Sequence, residues 1–185
     1  MIKEILEDAA ERMQGAIDVL NKDLSGYRTG RASTGLVEGL KVEMYGSELP
    51  LNQIASASVP EPQQIAIRPY DANAIGAIER AILKSDLGLN PNNDGKIIRL
   101  NLPMLTEDRR RDLSKQVGKR VEDAKVAVRN VRRDALNDIR DAENDKLVSE
   151  DESRNGQDKL QELTDVFTKR VDELGATKKK EIMEV

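Results

Sequence analysis

Three arginines stand at a spacing that would let them bind phosphate together. Arg129, Arg132 and Arg133 are separated by three residues and by one, so in a helix their side chains project from one face. The planar guanidinium group forms two parallel hydrogen bonds to phosphate oxygens, which makes arginine well suited to this contact. Residues 105–133 carry a net charge of +5 (ten Lys or Arg against five Asp or Glu), although the whole chain carries −4. We therefore predict that these three residues form an arginine strip that contacts nucleic-acid phosphate.

Two details indicate which nucleic acid the arginine strip suits. Lys125 and Arg140 continue the same helical face, and no aromatic residue lies among the Lys and Arg residues of the segment 105–133. The lack of aromatic rings argues against stacking on single strands and favours folded RNA recognised through its shape and backbone. No DNA partner is expected. The alternative is a solvated helix face whose charges pair within the helix, since Glu122 lies nearby.

The side chains that most catalytic and metal sites require are missing. The 185 residues include no His and no Cys, which excludes imidazole bases, thiol nucleophiles, disulfides and zinc sites built from these residues. The loop 90–95 (NPNNDG) has the oxygen side chains of a calcium loop. Its first and twelfth ligand positions hold Asn90 and Asn101 instead of acids, so a plain turn before a strand is predicted. We predict no enzyme, no cofactor and no metal, with a carboxylate-based enzyme as the alternative.

Proline marks the organisation of the chain. All six prolines fall between residues 50 and 103, and the flanks on either side contain none. Because proline breaks helix interiors, the flanks are predicted to be helical and the middle to contain strands. Charged residues make up 35% and aromatic residues 2% of the chain, a composition that favours long amphipathic helices over a large sandwich or barrel.

Three amphipathic helices are predicted in the flanks. The first ends near Tyr27, the second runs from about 106 to 147 with Thr106 as its N-cap, and the third begins at a capping box of Ser149 and Glu152. Apolar residues recur every three or four positions, so each helix has one apolar stripe to bury. A three-helix bundle buries the three stripes within one chain, whereas a coiled-coil adaptor, the alternative, would leave them exposed for partners.

The middle of the chain reads as a small domain of strands and one helix. Residues 40–45, 64–68 and 98–102 alternate apolar and polar side chains, as half-buried strands do. Residues 72–87 are predicted to form a helix between the last two strands, with Asp71 as its cap and Gly88 at its end.

The predicted fold class is α+β, an antiparallel three-helix bundle with an inserted small α+β domain. The bundle would comprise residues 1–30 and 105–185, and the inserted domain residues 31–104. The chain crosses between them twice, at Gly30, Ala32, Ser33 and Gly35 and again at Pro103. Small contacts between domains leave rotation as the default, so we predict a hinge at these five residues, with Gly30 and Gly35 outside regular structure.

Four segments together resemble a known protein family. They are residues 27–32 (YRTGRA), 85–91 (SDLGLNP), 105–111 (LTEDRRR) and 126–135 (VAVRNVRRDA). Their order and spacing, with the full length of the chain, are similar to those of bacterial ribosome recycling factors. Each segment alone is weakly specific, but four in register are strongly specific.

The resemblance implies a fold, a function and a set of contact residues. It implies an L-shaped, two-domain molecule of tRNA-like dimensions that binds the large ribosomal subunit after termination. With elongation factor G and GTP hydrolysis by that factor, such a protein separates the subunits so that mRNA and tRNA leave. The rRNA-contacting residues would be Arg129, Arg132 and Arg133, with Arg28, Arg31 and Arg110 as neighbours. A cytoplasmic monomer without a membrane partner is expected, since no apolar run approaches the ~20 residues of a membrane span.

Overall fold

In the computed structural model of the chain, which describes residues 1–184, long helices at both ends flank a middle of short strands. The elements in chain order are α1 (Ile2–Ser25), α2 (Gly35–Glu38), β1 (Lys41–Met44), β2 (Ser47–Pro50), α3 (Leu51–Ile54), β3 (Ala55–Glu61), β4 (Gln64–Pro69), a 3-10 turn (Ala72–Ala74), α4 (Ile75–Lys84), β5 (Pro91–Asn93), β6 (Ile98–Asn101), α5 (Glu107–Asn144) and α6 (Glu150–Met183). The predicted α+β class is confirmed.

Contacts divide the chain into two compact units. The helical unit consists of Met1–Leu24 and Ser114–Lys179, and the mixed unit consists of Ser25–Leu113 together with the chain from Lys180 onward. These divisions pass through the long helices and differ by several residues from the predicted domains, which stay a prediction. Val185, the last residue of the predicted bundle domain, lies outside the described residues.

The helical unit is a bundle of α1, α5 and α6. Ile2 of α1 and Ile139 of α5 both lie against Gly156 near the start of α6. Further along, Arg170 of α6 donates a hydrogen bond to Gln14 of α1 at 3.5 Å. Contacts therefore advance together along α1 and α6, which run parallel, while α5 reaches the start of α6 with its own C-terminal part and runs antiparallel to both.

The predicted apolar stripes meet inside the helical unit. The buried positions are Ala9, Met13, Ile17, Leu20 and Leu24 in α1, Val117, Ala124, Val128, Val131, Ala135, Ile139 and Ala142 in α5, and Leu160, Phe167 and Val171 in α6. Burial of these side chains removes apolar surface from water and is the main force that holds such a bundle together. The three stripes cover one another, so the coiled-coil adaptor lacks the exposed stripe that it requires.

Side-chain caps fix where α5 and α6 begin. The Thr106 hydroxyl accepts a hydrogen bond from the backbone N–H of Arg109 at 3.1 Å. At the start of α6, the Ser149 hydroxyl accepts from the Glu152 N–H at 3.1 Å, and the Glu152 carboxylate accepts from the Ser149 N–H at 2.7 Å. Both predicted caps are confirmed, and each satisfies backbone donors that a helix leaves unpaired at its N-terminus.

The mixed unit is built on an antiparallel four-stranded sheet in the order β3-β4-β6-β5, with β1 and β2 as a separate hairpin. Ile65 and Ile67 of β4 and Ile98 and Leu100 of β6 are fully buried. The same core contains Ile78 of α4. The predicted strands 40–45, 64–68 and 98–102 correspond to β1, β4 and β6.

Three short strands were not predicted, and one of them replaces a predicted turn. β2 and β3 each contain a proline, Pro50 and Pro60, which argues against a central strand. β3 is an edge strand, where a missing N–H is tolerated. Pro91–Asn93 forms β5 beside β6, and the turn follows at Asp94, whose carboxylate accepts from the backbone N–H groups of Lys96 and Ile97 at 3.0 and 2.9 Å.

The predicted helix 72–87 is shorter and starts as a 3-10 turn. The Asp71 carboxylate accepts from the backbone N–H of Asn73 at 3.0 Å, which confirms the predicted cap. α4 ends at Lys84 because Ser85 takes an extended conformation and its hydroxyl donates to the Ile82 carbonyl at 2.6 Å.

Gly35 was predicted to lie outside regular structure, and this was wrong. Leu36 and Val37 are buried, and the single-turn helix α2 that begins at Gly35 presents them to the core. A Cβ atom at Gly35 would lie 3.0 Å from the Ser25 carbonyl oxygen, so the close approach favours glycine. Gly30 lies outside helices and strands, as predicted.

Candidate nucleic-acid interface

The arginine strip lies on the outer side of α5. Arg129 and Arg133 are exposed, and Arg132 is partly buried. Its position next to Val131 but off the apolar stripe predicts an exposed side chain, and this was wrong. It follows the buried Val128 by one helical turn, which places it at the border of the apolar stripe, where the aliphatic stem of an arginine is covered while its guanidinium stays in solvent.

None of the three strip arginines pairs with a carboxylate within residues 1–184. Asp134, next to Arg133 in sequence, lies 2.9 Å from Arg12 of α1, and Glu122, the acid named in the alternative, lies 3.9 Å from Lys125. The predicted alternative, a face whose charges pair within the helix, therefore does not describe the arginine strip.

Some arginines elsewhere on the long helices have an acid one helical turn away. Other arginines at the ends of the long helices do pair within their helix, such as Arg111 with Glu107 and Arg154 with Glu150. Positions three and four residues from each strip arginine hold only neutral or basic residues. Like charges at this spacing cost about 0.2–0.5 kcal/mol per pair, so the strip concentrates repulsion that a bound anion would relieve.

Lys125 does not extend the strip as predicted. Its ammonium group lies 2.5 Å from a carboxylate oxygen of Asp172 on α6, and only 22% of its side chain is exposed. The neighbouring helix thus neutralises this charge. Arg140 is exposed and continues the strip toward the C-terminal end of α5.

Arg12 holds Asp134 away from the strip and was missed by the sequence analysis. Its hydrogen bond to Asp134 is the main cause that raises the pKa of Arg12, and the charges of Asp134, Asp8 and Asp138 add to it. The two residues are 122 positions apart, so no local pattern could have revealed the pair.

Arg28, Arg31 and Arg110, the other predicted rRNA contacts, belong to the mixed unit. Arg28 donates a hydrogen bond to the Pro103 carbonyl at 2.6 Å. Burial lowers the pKa of the Arg28 guanidinium, and the nearby charge of Arg109 lowers it further. The Nε atoms of Arg28 and Arg110 are both buried without a hydrogen-bond acceptor in the described chain, whereas Arg31 is exposed.

The five predicted hinge residues also belong to the mixed unit. The backbone N–H of Ala32 donates to the Pro62 carbonyl at 2.7 Å, and the backbone N–H of Gly35 donates to the Ser33 hydroxyl at 3.3 Å. Pro103 accepts the Arg28 hydrogen bond. Both crossings therefore form hydrogen bonds with other residues of the mixed unit, and their role as a hinge stays a prediction.

Comparison with known proteins decides the family. The family model described as ribosome recycling factor matches residues 20–183. The chain belongs to the ribosome recycling factor family. Ribosome-recycling factors of Roseiflexus sp. (strain RS-1) and Symbiobacterium thermophilum are 52% and 54% identical to it over 185 residues, and each comparison covers both chains completely. As a member of the ribosome recycling factor family, the chain is a translation factor.

Solved structures of the ribosome recycling factor family agree with this fold. A solution structure of the ribosome recycling factor has a TM-score of 0.75 and 44% identity, over 100% of this chain and 98% of that one. A second structure, with a TM-score of 0.69 and 42% identity over 100% of both chains, belongs to models of the T. thermophilus ribosome recycling factor and the E. coli elongation factor G bound to the E. coli post-termination complex.

Two kinds of feature are absent from the part of the chain that the structure describes. No helix within residues 1–184 has the length and apolar character to cross a membrane. Over the same residues, no three acidic side chains come together as a metal site would require.

Proposed function

We propose that this chain binds the large ribosomal subunit of post-termination ribosomes and, with elongation factor G and GTP, splits them so that they leave the mRNA and are recycled. The observation that carries the proposal is the arginine strip, three guanidinium groups on one helix face with no carboxylate partner in residues 1–184. Membership of the ribosome recycling factor family supports the same function.

The arginine strip would act by positioning the protein on rRNA. Each guanidinium can donate a fork of hydrogen bonds to one phosphate, and contacts with the backbone set register and orientation without reading sequence. Arg132 is the central contact, because its partly buried stem limits the freedom of its guanidinium before binding. Arg28, Arg31 and Arg110 would supply further contacts from the mixed unit.

The splitting step would come from the partner factor and not from chemistry on this chain. We assign GTP hydrolysis to elongation factor G, so the chain itself is not an enzyme and uses no cofactor. A family member 42% identical to it is described together with elongation factor G on a post-termination complex, which supports this partner. The protein would act as a monomer in the cytoplasm, with no membrane and no DNA partner.

A hinge would connect binding to splitting. We propose that the bundle of residues 1–30 and 105–185 holds the ribosome while the inserted domain of residues 31–104 moves under the action of elongation factor G. Gly30, Ala32, Ser33, Gly35 and Pro103 would absorb the rotation, as hinge residues at the ends of elements do.

A splitting assay tests the proposed function. Purified post-termination ribosomes are mixed with elongation factor G, GTP and this protein, and the products are separated by sedimentation. Separate subunits that require all three additions are expected. Intact ribosomes in the complete mixture would contradict the proposal.

A further inference from the structure

The turn of the β1–β2 hairpin holds an aromatic residue in a strained conformation. Tyr45 and Gly46 connect the strands, with φ angles of 53° and 76°. Two positive φ angles define the hairpin turn that favours Asn-Gly, because asparagine tolerates the left-handed region better than other side chains that carry a Cβ. Tyr45 is 74% exposed, so burial in the core does not compensate for this strain.

The Tyr45 ring is held in one orientation. Its hydroxyl donates a hydrogen bond to Asp71 Oδ2 at 2.8 Å, and the other oxygen of Asp71 accepts from the backbone N–H of Asn73. Tyr70, next to Asp71, is 71% exposed. Two of the four aromatic residues of the chain are thus exposed in this region. Exposed, oriented aromatic rings are typical anchors of protein interfaces.

A second unfavourable feature lies beside the ring. Glu43 and Glu48 are directly opposite each other across the hairpin, and both are exposed. Like charges at opposite positions destabilise a strand pair. Neither glutamate forms an ion pair with any described residue. An open hollow of about 390 Å³ at the turn is lined by residues 43–48, and these two carboxylates are its only charged groups.

Basic side chains lie on the other side of the hairpin. A second hollow, of about 300 Å³, lies between the hairpin and α4 and is lined by Glu43, Glu48, Lys41, Arg80 and Lys84. The positive charges of these three basic residues reduce the repulsion between the two glutamates on that side of the hairpin. At the turn itself the local charge is negative.

We propose that Glu43, Tyr45, Glu48 and Asp71 form a docking surface, hereafter the hairpin surface, for a protein partner that presents an Arg or Lys side chain. A cation placed over the Tyr45 ring gains from the ring electrons and from the adjacent carboxylates. The same carboxylates repel phosphate, which argues against RNA at this place. The inference rests on the proposed function, because the partner is sought among the proteins of the post-termination complex.

Two substitutions separate docking from folding. Tyr45→Asn supplies the residue that the turn favours, which offsets the lost hydrogen bond to Asp71. Glu48→Lys converts the repulsive pair into an attractive one, which offsets the new repulsion from the basic residues of the second hollow, so both variants should melt close to the wild type. Both should nevertheless raise the concentration needed for half-maximal ribosome splitting, by roughly tenfold for Tyr45→Asn, the scale of an aromatic anchor. Glu61→Lys, the same charge change at an exposed position of β3, should leave splitting unchanged.

The sign of the Glu48→Lys effect distinguishes the partners. A cationic protein predicts weaker action of this variant, whereas an RNA partner predicts stronger action. Stronger or unchanged splitting by Glu48→Lys, or unchanged splitting by Tyr45→Asn, would overturn the hairpin surface. Wild-type protein that does not split ribosomes contradicts the proposed function instead.

Photo-crosslinking tests the hairpin surface without relying on splitting. Benzoylphenylalanine at position 45 is irradiated in mixtures with purified post-termination ribosomes and elongation factor G, and the products are digested and sequenced. A crosslink to a protein segment that contains Arg or Lys is expected. Crosslinks to rRNA only, or none, would overturn the proposal.

Discussion

Replacing Arg132 by alanine should separate rRNA binding from folding. The side chain has no ion-pair partner in the described structure, so its removal leaves no unpaired charge. Loss of repulsion from Arg129, three residues away, offsets the loss of packing around the partly buried stem. The free energy of unfolding should therefore change by less than about 0.5 kcal/mol, as for most surface substitutions.

Binding to the large subunit should respond much more strongly. Charge-assisted hydrogen bonds contribute about 1.5–3 kcal/mol, so Arg132→Ala should weaken binding by roughly 10- to 150-fold. The logarithmic dependence of affinity on salt should become shallower by about 0.7–0.9 for each phosphate that the variant no longer neutralises. Arg132→Lys keeps the charge but cannot form the two parallel hydrogen bonds of a guanidinium group, so it should recover only part of the affinity.

The assay is a titration against purified large subunits at several salt concentrations, beside a thermal melt of each variant. Arg154→Ala is the matched control, because Arg154 is an exposed helical arginine that pairs with Glu150 outside the arginine strip. It should bind as the wild type does. An Arg132→Ala variant that melts and binds like the wild type would refute the assignment of the arginine strip to rRNA.

Three further predictions concern stability, each measured by urea unfolding. Gly15→Ala should raise the free energy of unfolding by about 0.5–1 kcal/mol, because a Cβ atom at this position of α1 meets open space. Gly175→Ala should lower it by about 1–3 kcal/mol, because the new Cβ atom would lie 2.4 Å from Val121. Shifts of the same sign in the two variants would contradict this packing. Lys146→Gly should stabilise by about 1 kcal/mol, because Lys146 lies two residues past the end of α5 with a φ of 58°, which favours glycine, and a loss of stability would contradict it. Hydrogen bonds from the Ile97 and Lys96 N–H groups and then from Arg99 lower the pKa of Asp94 from 3.8 to about 2. The ionised carboxylate therefore contributes fully to the free energy of unfolding above about pH 4, and this contribution is lost as the pH falls toward 2. Asp94→Asn should remove that part of the pH dependence of stability, and an unchanged pH profile would contradict the assignment.

Much of the fold was predictable because strong local signals agree with the tertiary structure. Thr106 and the Ser149–Glu152 box cap helices whose apolar stripes are long and regular. The short strands β2 and β3 carry weak patterns and a proline each, and only their pairing in the folded chain makes them strands. Gly35 illustrates the same limit, since burial of its neighbours Leu36 and Val37 turns a predicted crossing into a helical turn.

The candidate site was predictable as a set of residues but not as a charge distribution. The spacing of Arg129, Arg132 and Arg133 is a property of one helix and is readable from the chain. Whether a basic side chain is free to bind phosphate depends on the neighbouring helices, and Lys125 instead forms an ion pair with Asp172 of α6. The hydrogen bond from Arg28 to Pro103 likewise joins residues 75 positions apart, which no local pattern encodes.

Directed cleavage of rRNA tests most directly whether the arginine strip faces the large subunit. The chain has no cysteine, so one introduced at Asn130, an exposed position beside Arg129, can carry an iron chelate that generates hydroxyl radicals at a single site. Glu162→Cys, exposed on α6, is the matched control. Strong cleavage of large-subunit rRNA from position 130 and weak cleavage from position 162 is the predicted result. Equal cleavage from both positions, or none from position 130 in a chelate-bearing protein that still binds the subunit, would contradict the account.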